Sequence, residues 1–199
     1  MTGNGTVIAG LLLAAGGGRR LGGRPKALLS LDGHLFVERA AAALRAAGCS
    51  PVHVVLGAAA DEVVRRAGLT GCAVVRNPGW AEGMGSSLRA GLASLPPGTD
   101  AALVALVDQP RIGAAAMARV LAAHGSARTL AAATYGGRRG HPVLLGAAHF
   151  DGVAASARGD RGARAYLAER DAEVVRVECG DIAAPDDVDE PEDLIDLPS

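Results

Sequence analysis

Lysine is almost absent from this chain: of twenty basic residues nineteen are arginine, and the one lysine is Lys26, inside a glycine-rich stretch. Aromatic residues make up only 3% and the formal net charge is -1, so the basic, aromatic-interleaved surface that holds nucleic acid is missing. Cysteine is equally sparse. Cys49, Cys72 and Cys179 are odd in number and far apart, which excludes a disulfide framework and a paired-cysteine zinc site. The longest apolar run near the N-terminus, Val7 to Ala15, is far shorter than the ~20 residues that cross a bilayer, and it lacks the basic leader and cleavage site of a signal peptide. The expectation is a cytoplasmic protein with no membrane or nucleic-acid partner. What the chain does have is 199 residues, 49% of them apolar, enough to bury one sizeable core. A single domain over residues 1–199 is expected.

Apolar runs rich in Val, Leu and Ile alternate with longer stretches of helical spacing, the pattern of βα units stacked on a largely parallel sheet. Strands are predicted at Thr6–Ala14, Pro51–Leu56, Cys72–Arg76, Ala101–Leu106, Leu130–Tyr135 and Ala172–Glu178. Helices are predicted at Phe36–Ala47, Ala60–Ala67, Ser86–Leu95, Ala114–His124, Gly162–Glu169 and Glu192–Leu197. The acidic, proline-punctuated segment Ala183–Pro191 reads as a strap that wraps back over the domain. The fold class is therefore three-layer α/β/α around a mostly parallel, twisted, Rossmann-like sheet.

Directly after the first strand comes Leu13-Ala14-Ala15-Gly16-Gly17-Gly18-Arg19-Arg20-Leu21-Gly22-Gly23-Arg24-Pro25-Lys26. Small residues in succession let backbone N–H groups approach a polyphosphate, and loops at the C-terminal edge of an open α/β sheet are where ligands bind. Arg20 and Lys26 would neutralise phosphate oxygens. The loop is not a Walker A motif, because Lys26 follows Pro25 and precedes Ala27. It is not the dinucleotide fingerprint either, since counting from Gly16 and Gly18 puts Leu21 at the third glycine's place. The competing reading is a plain surface loop with solvated arginines.

A second constellation, Asp108-Gln109-Pro110, ends the apolar Ala101 strand at the same edge of the sheet. Mg²⁺ takes few carboxylates and completes its shell with substrate phosphate oxygens, so one aspartate facing a triphosphate loop can start a metal site. The competing reading of Asp108 taken alone is a turn or helix-capping residue before Pro110.

These motifs together resemble the MobA-like nucleotidyltransferases, and within them the MocA-like molybdenum cofactor cytidylyltransferases, along nearly the whole chain. The resemblance is carried by Leu13-Ala14-Ala15-Gly16, Arg20 before Leu21-Gly22, Pro25-Lys26, and Asp108-Gln109-Pro110. It continues through Asn77-Pro78-Gly79-Trp80-Ala81-Glu82-Gly83-Met84-Gly85-Ser86-Ser87-Leu88, then Gly140-His141-Pro142-Val143 and Gly159-Asp160-Arg161-Gly162-Ala163-Arg164. It implies the GT-A-like nucleotidyltransferase variant of the Rossmann-like fold. It also implies a nucleotide site of Leu13, Ala14, Ala15, Gly16, Gly17, Gly18, Arg20, Lys26, Gly83, Met84, Ser86 and Ser87, with capping of the next helix as the alternative role of the serines. Gln109, Pro110, His141 and Asp160 would face the acceptor. Asp187-Val188-Asp189-Glu190-Pro191-Glu192-Asp193-Leu194 resembles the family's second acidic motif and makes Asp189 the partner of Asp108 in holding metal. Glu190 departs from the usual threonine, and a competing register at Asp181–Asp187 would put Ala183 in that place.

What the resemblance implies chemically is attack by an acceptor phosphate on the α-phosphorus of a nucleoside triphosphate, with Mg²⁺ as cofactor and Arg20, Lys26 and Asp108 as the catalytic set. Ala15, where guanylyl-transferring relatives typically carry glycine, favours CTP over GTP. The acceptor it implies is a pterin phosphate, molybdopterin or the molybdenum cofactor, with a molybdenum hydroxylase as a possible client. Three other readings stand beside it: a non-catalytic cofactor carrier, a nucleotidyltransferase for a sugar phosphate or other small phosphate, and a plain structural α/β domain.

Overall fold

A computed structural model describes residues 5–194. In chain order its strands and helices are β1 (Ile8–Ala14), β2 (Ser30–Leu31), β3 (His34–Leu35), α1 (Phe36–Ala46), β4 (Val52–Leu56), α2 (Ala60–Arg66), β5 (Cys72–Arg76) and α3 (Met84–Ala93), then β6 (Ala101–Leu106), α4 (Ala114–Leu121), β7 (Leu130–Tyr135), β8 (Arg138–Gly146), α5 (Phe150–Ser156), α6 (Arg164–Glu169) and β9 (Val174–Glu178).

Seven strands make one sheet in the order β5-β4-β1-β6-β8-β7-β9, and β2 with β3 forms a small hairpin apart from it. All seven residues of β1 are buried, and they alternate between layers. Ile8, Leu12 and Ala14 pack with Phe36, Val37 and Leu44 of α1 and with Met117 of α4. Leu11 and Leu13 pack on the other face with Leu88 and Leu92 of α3, Val153 of α5 and Leu167 of α6. Two-residue periodicity thus sends one strand's side chains into two cores, each fully buried leucine contributing about 1.5–3 kcal/mol. The three-layer expectation is met.

Topology decides where a ligand can sit. The chain builds outward from β1 to β4 and β5, then returns to place β6 on the other side of β1, so the sheet switches direction between β1 and β6, where ligands bind in open α/β sheets. The parallel register pairs Leu13 with Leu106. The glycine loop and Asp108 therefore leave the sheet side by side.

Several predicted boundaries move. Strand β1 starts at Ile8 and β9 at Val174, α1, α2 and α4 end at Ala46, Arg66 and Leu121, and α3 begins at Met84 rather than Ser86. The last predicted helix, Glu192–Leu197, is represented by a single 3₁₀ turn at Pro191–Leu194, and its remainder lies outside the described residues. Four elements are not predicted at all: the two-residue strands β2 and β3, strand β8 and helix α5. Strand β8 runs antiparallel between β6 and β7 and contains Gly140-His141-Pro142, residues that read as loop. The register shift between Ala132 and Thr134 on β7 explains it, since a bulge frees that stretch from the ladder and is where proline fits in a sheet. Helix α5 is only seven residues long and carries Gly152.

The acidic segment does wrap back. It has no regular structure between Ala183 and Asp189 and is tied down by side chains and single backbone bonds. Arg119 makes a bidentate pair with Asp181 at 2.6 and 3.0 Å, Arg111 pairs with Asp186 at 3.2 Å, and the Val188 amide donates to the Asp108 carbonyl at 2.8 Å.

Candidate active site

The strap brings Asp189 to the switch point. Lys26 Nζ donates to Asp108 Oδ2 at 2.7 Å and to Asp189 Oδ1 at 2.6 Å. Arg20 Nη1 donates to Asp189 Oδ2 at 2.9 Å. The chain's sole lysine is thus the cation between the two carboxylates that the sequence nominated for metal. Asp189 reaches Asp108 through Lys26, which lies between the two carboxylates. In the competing register Asp181 pairs with Arg119 instead, and Ala183 has no polar side chain to offer.

Electrostatics tighten the triad. Burial opposes the charge on Lys26, but the Asp108 charge and the hydrogen bonds from Asp108 and Asp189 outweigh it, and its pKa stands above the ordinary lysine value. The hydrogen bond from Lys26 is the main reason the Asp189 carboxyl is held below its ordinary range. A depressed carboxyl contributes stability above its unfolded pKa of about 3.9 and loses it as pH falls through the folded value. Asp189→Asn is therefore expected to destabilise the fold near neutrality and to lose that effect on acidification below about pH 4. Urea unfolding of both proteins across pH measures it, and a difference independent of pH would contradict it.

A cavity of about 330 Å³ opens beside the triad. Of the predicted nucleotide residues, Leu13, Ala15, Gly16, Lys26, Gly83, Met84 and Ser87 line it, as does Asp108. The amides of Gly16 and Gly17 donate to no protein acceptor among the described residues, as a phosphate-binding loop requires. Gly18 takes φ +60, and a Cβ there would collide with the Arg24 carbonyl. It shapes the loop rather than facing the cavity. Ala14 points the other way, into the core at 1% exposure. Arg20, its side chain 68% exposed and paired with Asp189, does not line the cavity.

The Asn77–Leu88 segment is a scaffold for this wall. Asn77 Nδ2 donates to Ser86 Oγ at 2.9 Å and Ser87 Oγ at 3.1 Å, and the Ser86 hydroxyl faces the carbonyls of Gly79 and Gly83, both at 2.9 Å. Ser86 is therefore neither a cavity residue nor a helix cap. It is spent on the turn, and α3 starts from Gly83 without a side-chain cap. Gly83 sits at φ 106, ψ -178, a region open essentially to glycine alone, and a Cβ there would lie 2.6 Å from Asp160 Oδ1. Gly83→Ala is expected to cost about 1–3 kcal/mol from backbone strain and to displace the Gly159–Asp160 turn. Equilibrium unfolding reads the first, and unchanged stability would show that the turn yields freely.

A second cavity of about 180 Å³ adjoins the first and shares Met84, Leu106, Asp108 and Asp160 with it. His141 and Asp160, the predicted acceptor residues, line it together with Arg139, Arg161, Arg164 and Asp187. Burial, with the Arg164 charge added, pushes His141 down to about 4 against the opposing pull of Asp108, so it is neutral at pH 7 and offers a hydrogen bond rather than a charge. Asp187 is raised, first by burial and then by the negative charge of Asp108.

Gln109 and Pro110 correct the sequence reading. They do not line the second cavity. They border a separate opening of about 230 Å³ against Phe36, Arg39 and Ala40 of α1, because the chain turns away from the site directly after Asp108. Sequence reasoning also missed members of the site. Trp80 walls the first cavity, its ring 3.1 Å from where a Cβ of Gly17 would be. The signal for it was an isolated indole in a glycine-rich segment of a chain with one tryptophan. Arg139, Arg164 and Asp187 carried no comparable signal, because only β8 and the strap bring them together.

The residues present fit a hard divalent cation. Two carboxylates from separate parts of the chain converge on Lys26 Nζ, their side chains 22% and 38% exposed. Among the described residues no group of three or more His, Cys, Asp or Glu could hold a metal, so substrate phosphate oxygens would have to complete the shell.

A loop of free amides, one lysine and paired carboxylates at a sheet switch point define the class: an α/β protein with a site there suited to a phosphorylated ligand. The chain belongs to the MobA-like NTP transferase domain family, whose match spans residues 10–174, and so stands among the nucleotidyltransferases, with a nucleoside triphosphate the substrate the family implies. Nicotine blue oxidoreductase of Paenarthrobacter nicotinovorans is 40% identical over 197 residues, 96% of each chain. Rv0371c of Mycobacterium tuberculosis in complex with manganese is 28% identical, with a TM-score of 0.79 over 96% of this chain and 100% of that one. A nucleotidyl transferase from Methanothermobacter thermautotroptrophicus, 24% identical, shares the fold with a TM-score of 0.81 over 96% of this chain and 95% of the other. Among the described residues no helix is long and apolar enough to cross a membrane.

Proposed function

We propose that the protein transfers CMP from CTP to a phosphorylated pterin, molybdopterin or the molybdenum cofactor, in a Mg²⁺-dependent reaction. The observation that carries this reading is Lys26 bridging Asp108 and Asp189 at the mouth of a glycine loop. An acceptor phosphate oxygen attacks the α-phosphorus, a new P–O bond forms, and the bond to pyrophosphate breaks with its electron pair leaving on pyrophosphate. The nucleophile is already ionised at neutral pH, so no side chain has to remove a proton. The protein's share is positioning and charge stabilisation.

Lys26, Arg20 and the Gly16 and Gly17 amides offset charge on the triphosphate and the departing pyrophosphate. Asp108 and Asp189 would hold Mg²⁺, which neutralises phosphate charge and polarises the α-phosphoryl group when bound. Neutral His141, with Arg139 and Arg164, would receive an anionic acceptor in the adjoining cavity. Ala15, which lines the nucleotide cavity, supports CTP, since one methyl group is worth about 1–3 kcal/mol of discrimination. Residues 1–199 are proposed to act as one domain. The test is pyrophosphate release from CTP, GTP, ATP and UTP, each with and without molybdopterin or molybdenum cofactor. Release confined to CTP plus pterin is expected, and release from another pair would reassign the substrates.

A second reading is favoured by one observation, the 40% identity to a protein named as an oxidoreductase. In that case the same cavity would hold a reduced nicotinamide nucleotide, and a hydride would pass from it to a dye-like acceptor. Nicotinamide oxidation without pyrophosphate release would support this reading and remove the first.

A further inference from the structure

Asp189 sits on a segment with no helix or strand to place it, yet its carboxylate meets Lys26 at 2.6 Å. Something must set the register of the strap. Gln109, adjacent in sequence to Asp108 and 9% exposed, reaches across with its amide. Its Nε2 donates to Asp187 Oδ1 at 2.8 Å and to the Pro185 carbonyl at 3.2 Å. Both partners are acceptors only, so the amide orientation is set by chemistry: the NH₂ must face the strap, and Oε1 must face away. Oε1 is then buried without a hydrogen-bond partner among the described residues. An unmet buried acceptor is costly, and its toleration is the mark of a side chain held for what its other end does. The Val188 amide closes the same clasp on the Asp108 carbonyl at 2.8 Å, with the Val188 side chain 2% exposed.

We propose that Gln109 is a positioning residue that clasps the strap at Pro185 and Asp187 and thereby delivers Asp189 to the Asp108–Lys26 pair; this rests on the reading that those carboxylates hold a divalent cation. A side chain of the same length without the amide would leave the strap's register to the Val188 bond and the Arg111–Asp186 and Arg119–Asp181 pairs. A carboxylate in its place would face Asp187 and a carbonyl and push the strap away.

Two measurements on the full chain test this with Gln109→Met and Gln109→Glu. The first is hydrogen exchange at the Val188 amide, which reads the clasp whether or not any metal binds. The second is Mn²⁺ affinity in the presence of CTP, read from the paramagnetic resonance of the free ion. Gln109→Met is expected to speed Val188 exchange about tenfold and weaken Mn²⁺ by about 10–100-fold, the usual loss when a group orienting a metal ligand is removed. Gln109→Glu is expected to do more on both counts. CTP binding without metal, followed through the single tryptophan, is expected to stay unchanged, which a merely destabilised fold would not allow. Unchanged Val188 exchange in both variants would overturn the clasp. Faster exchange with no Mn²⁺ binding even in the parent protein would leave the clasp standing but remove the metal from its purpose, and with it the proposed reaction.

Discussion

Lys26→Ala is expected to lower pyrophosphate release from CTP by about 10²–10³-fold, the loss typical of removing one preorganised donor to developing charge. The side chain is 15% exposed and makes two charge-assisted hydrogen bonds, so the variant is also expected to lose about 1–3 kcal/mol of stability. Part of that loss comes from leaving Asp108 and Asp189 face to face without a cation between them. Adding Asp189→Asn to Lys26→Ala removes the repulsion, and stability is expected to recover, while turnover stays low because Asp189 is itself a proposed metal ligand. Recovery of both would make Lys26 a structural counter-ion only. Retained turnover in a folded Lys26→Ala protein would remove it from the mechanism.

Asp108→Asn is the second large effect. Asparagine keeps the shape and one carbonyl acceptor but removes the charge, so turnover is expected to fall by about 10²-fold or more and no concentration of Mg²⁺ should restore it. The substitution also deletes the largest influence holding the Lys26 pKa up. Titration of the Lys26 ammonium by NMR should therefore show it falling relative to the parent protein. Activity rescued by excess metal would place the main ligand elsewhere.

How much of the site is legible in the sequence depends on how local its determinants are. The glycine loop and Asp108 come directly after strands β1 and β6, each strand reads as a continuous apolar run, and the Leu13–Leu106 register sets the loop and the aspartate side by side. Both are found for that reason. Strand β8 is missed because its diagnostic stretch contains glycine and proline, which argue against a central strand until the bulge opposite Ala132–Thr134 is known. Ala14 is assigned to the nucleotide by motif, yet strand alternation turns it into the core. The same alternation puts Leu13 and Ala15 at the cavity. Gln109 and Pro110 are grouped with Asp108 because they adjoin it, but the chain reverses after the strand end and carries them to the α1 side. Ser86 shows the same limit, since Asn77 and two carbonyls claim its hydroxyl through contacts that no spacing reveals. Asp189, nominated by motif, is the residue that the strap brings to Lys26. The reason it can act there, a strap fastened at Gln109, Arg111 and Arg119, is purely tertiary.

The most direct measurement is Mg²⁺-dependent pyrophosphate release from CTP with molybdopterin as acceptor, run beside a Lys26→Ala control and a parallel assay for oxidation of reduced nicotinamide nucleotide. Pyrophosphate in step with cytidylylated pterin, absent in the Lys26→Ala protein and with no nicotinamide consumed, is the expected result. Nicotinamide oxidation with no pyrophosphate from any triphosphate would contradict the transferase account and assign the same cavity to hydride transfer.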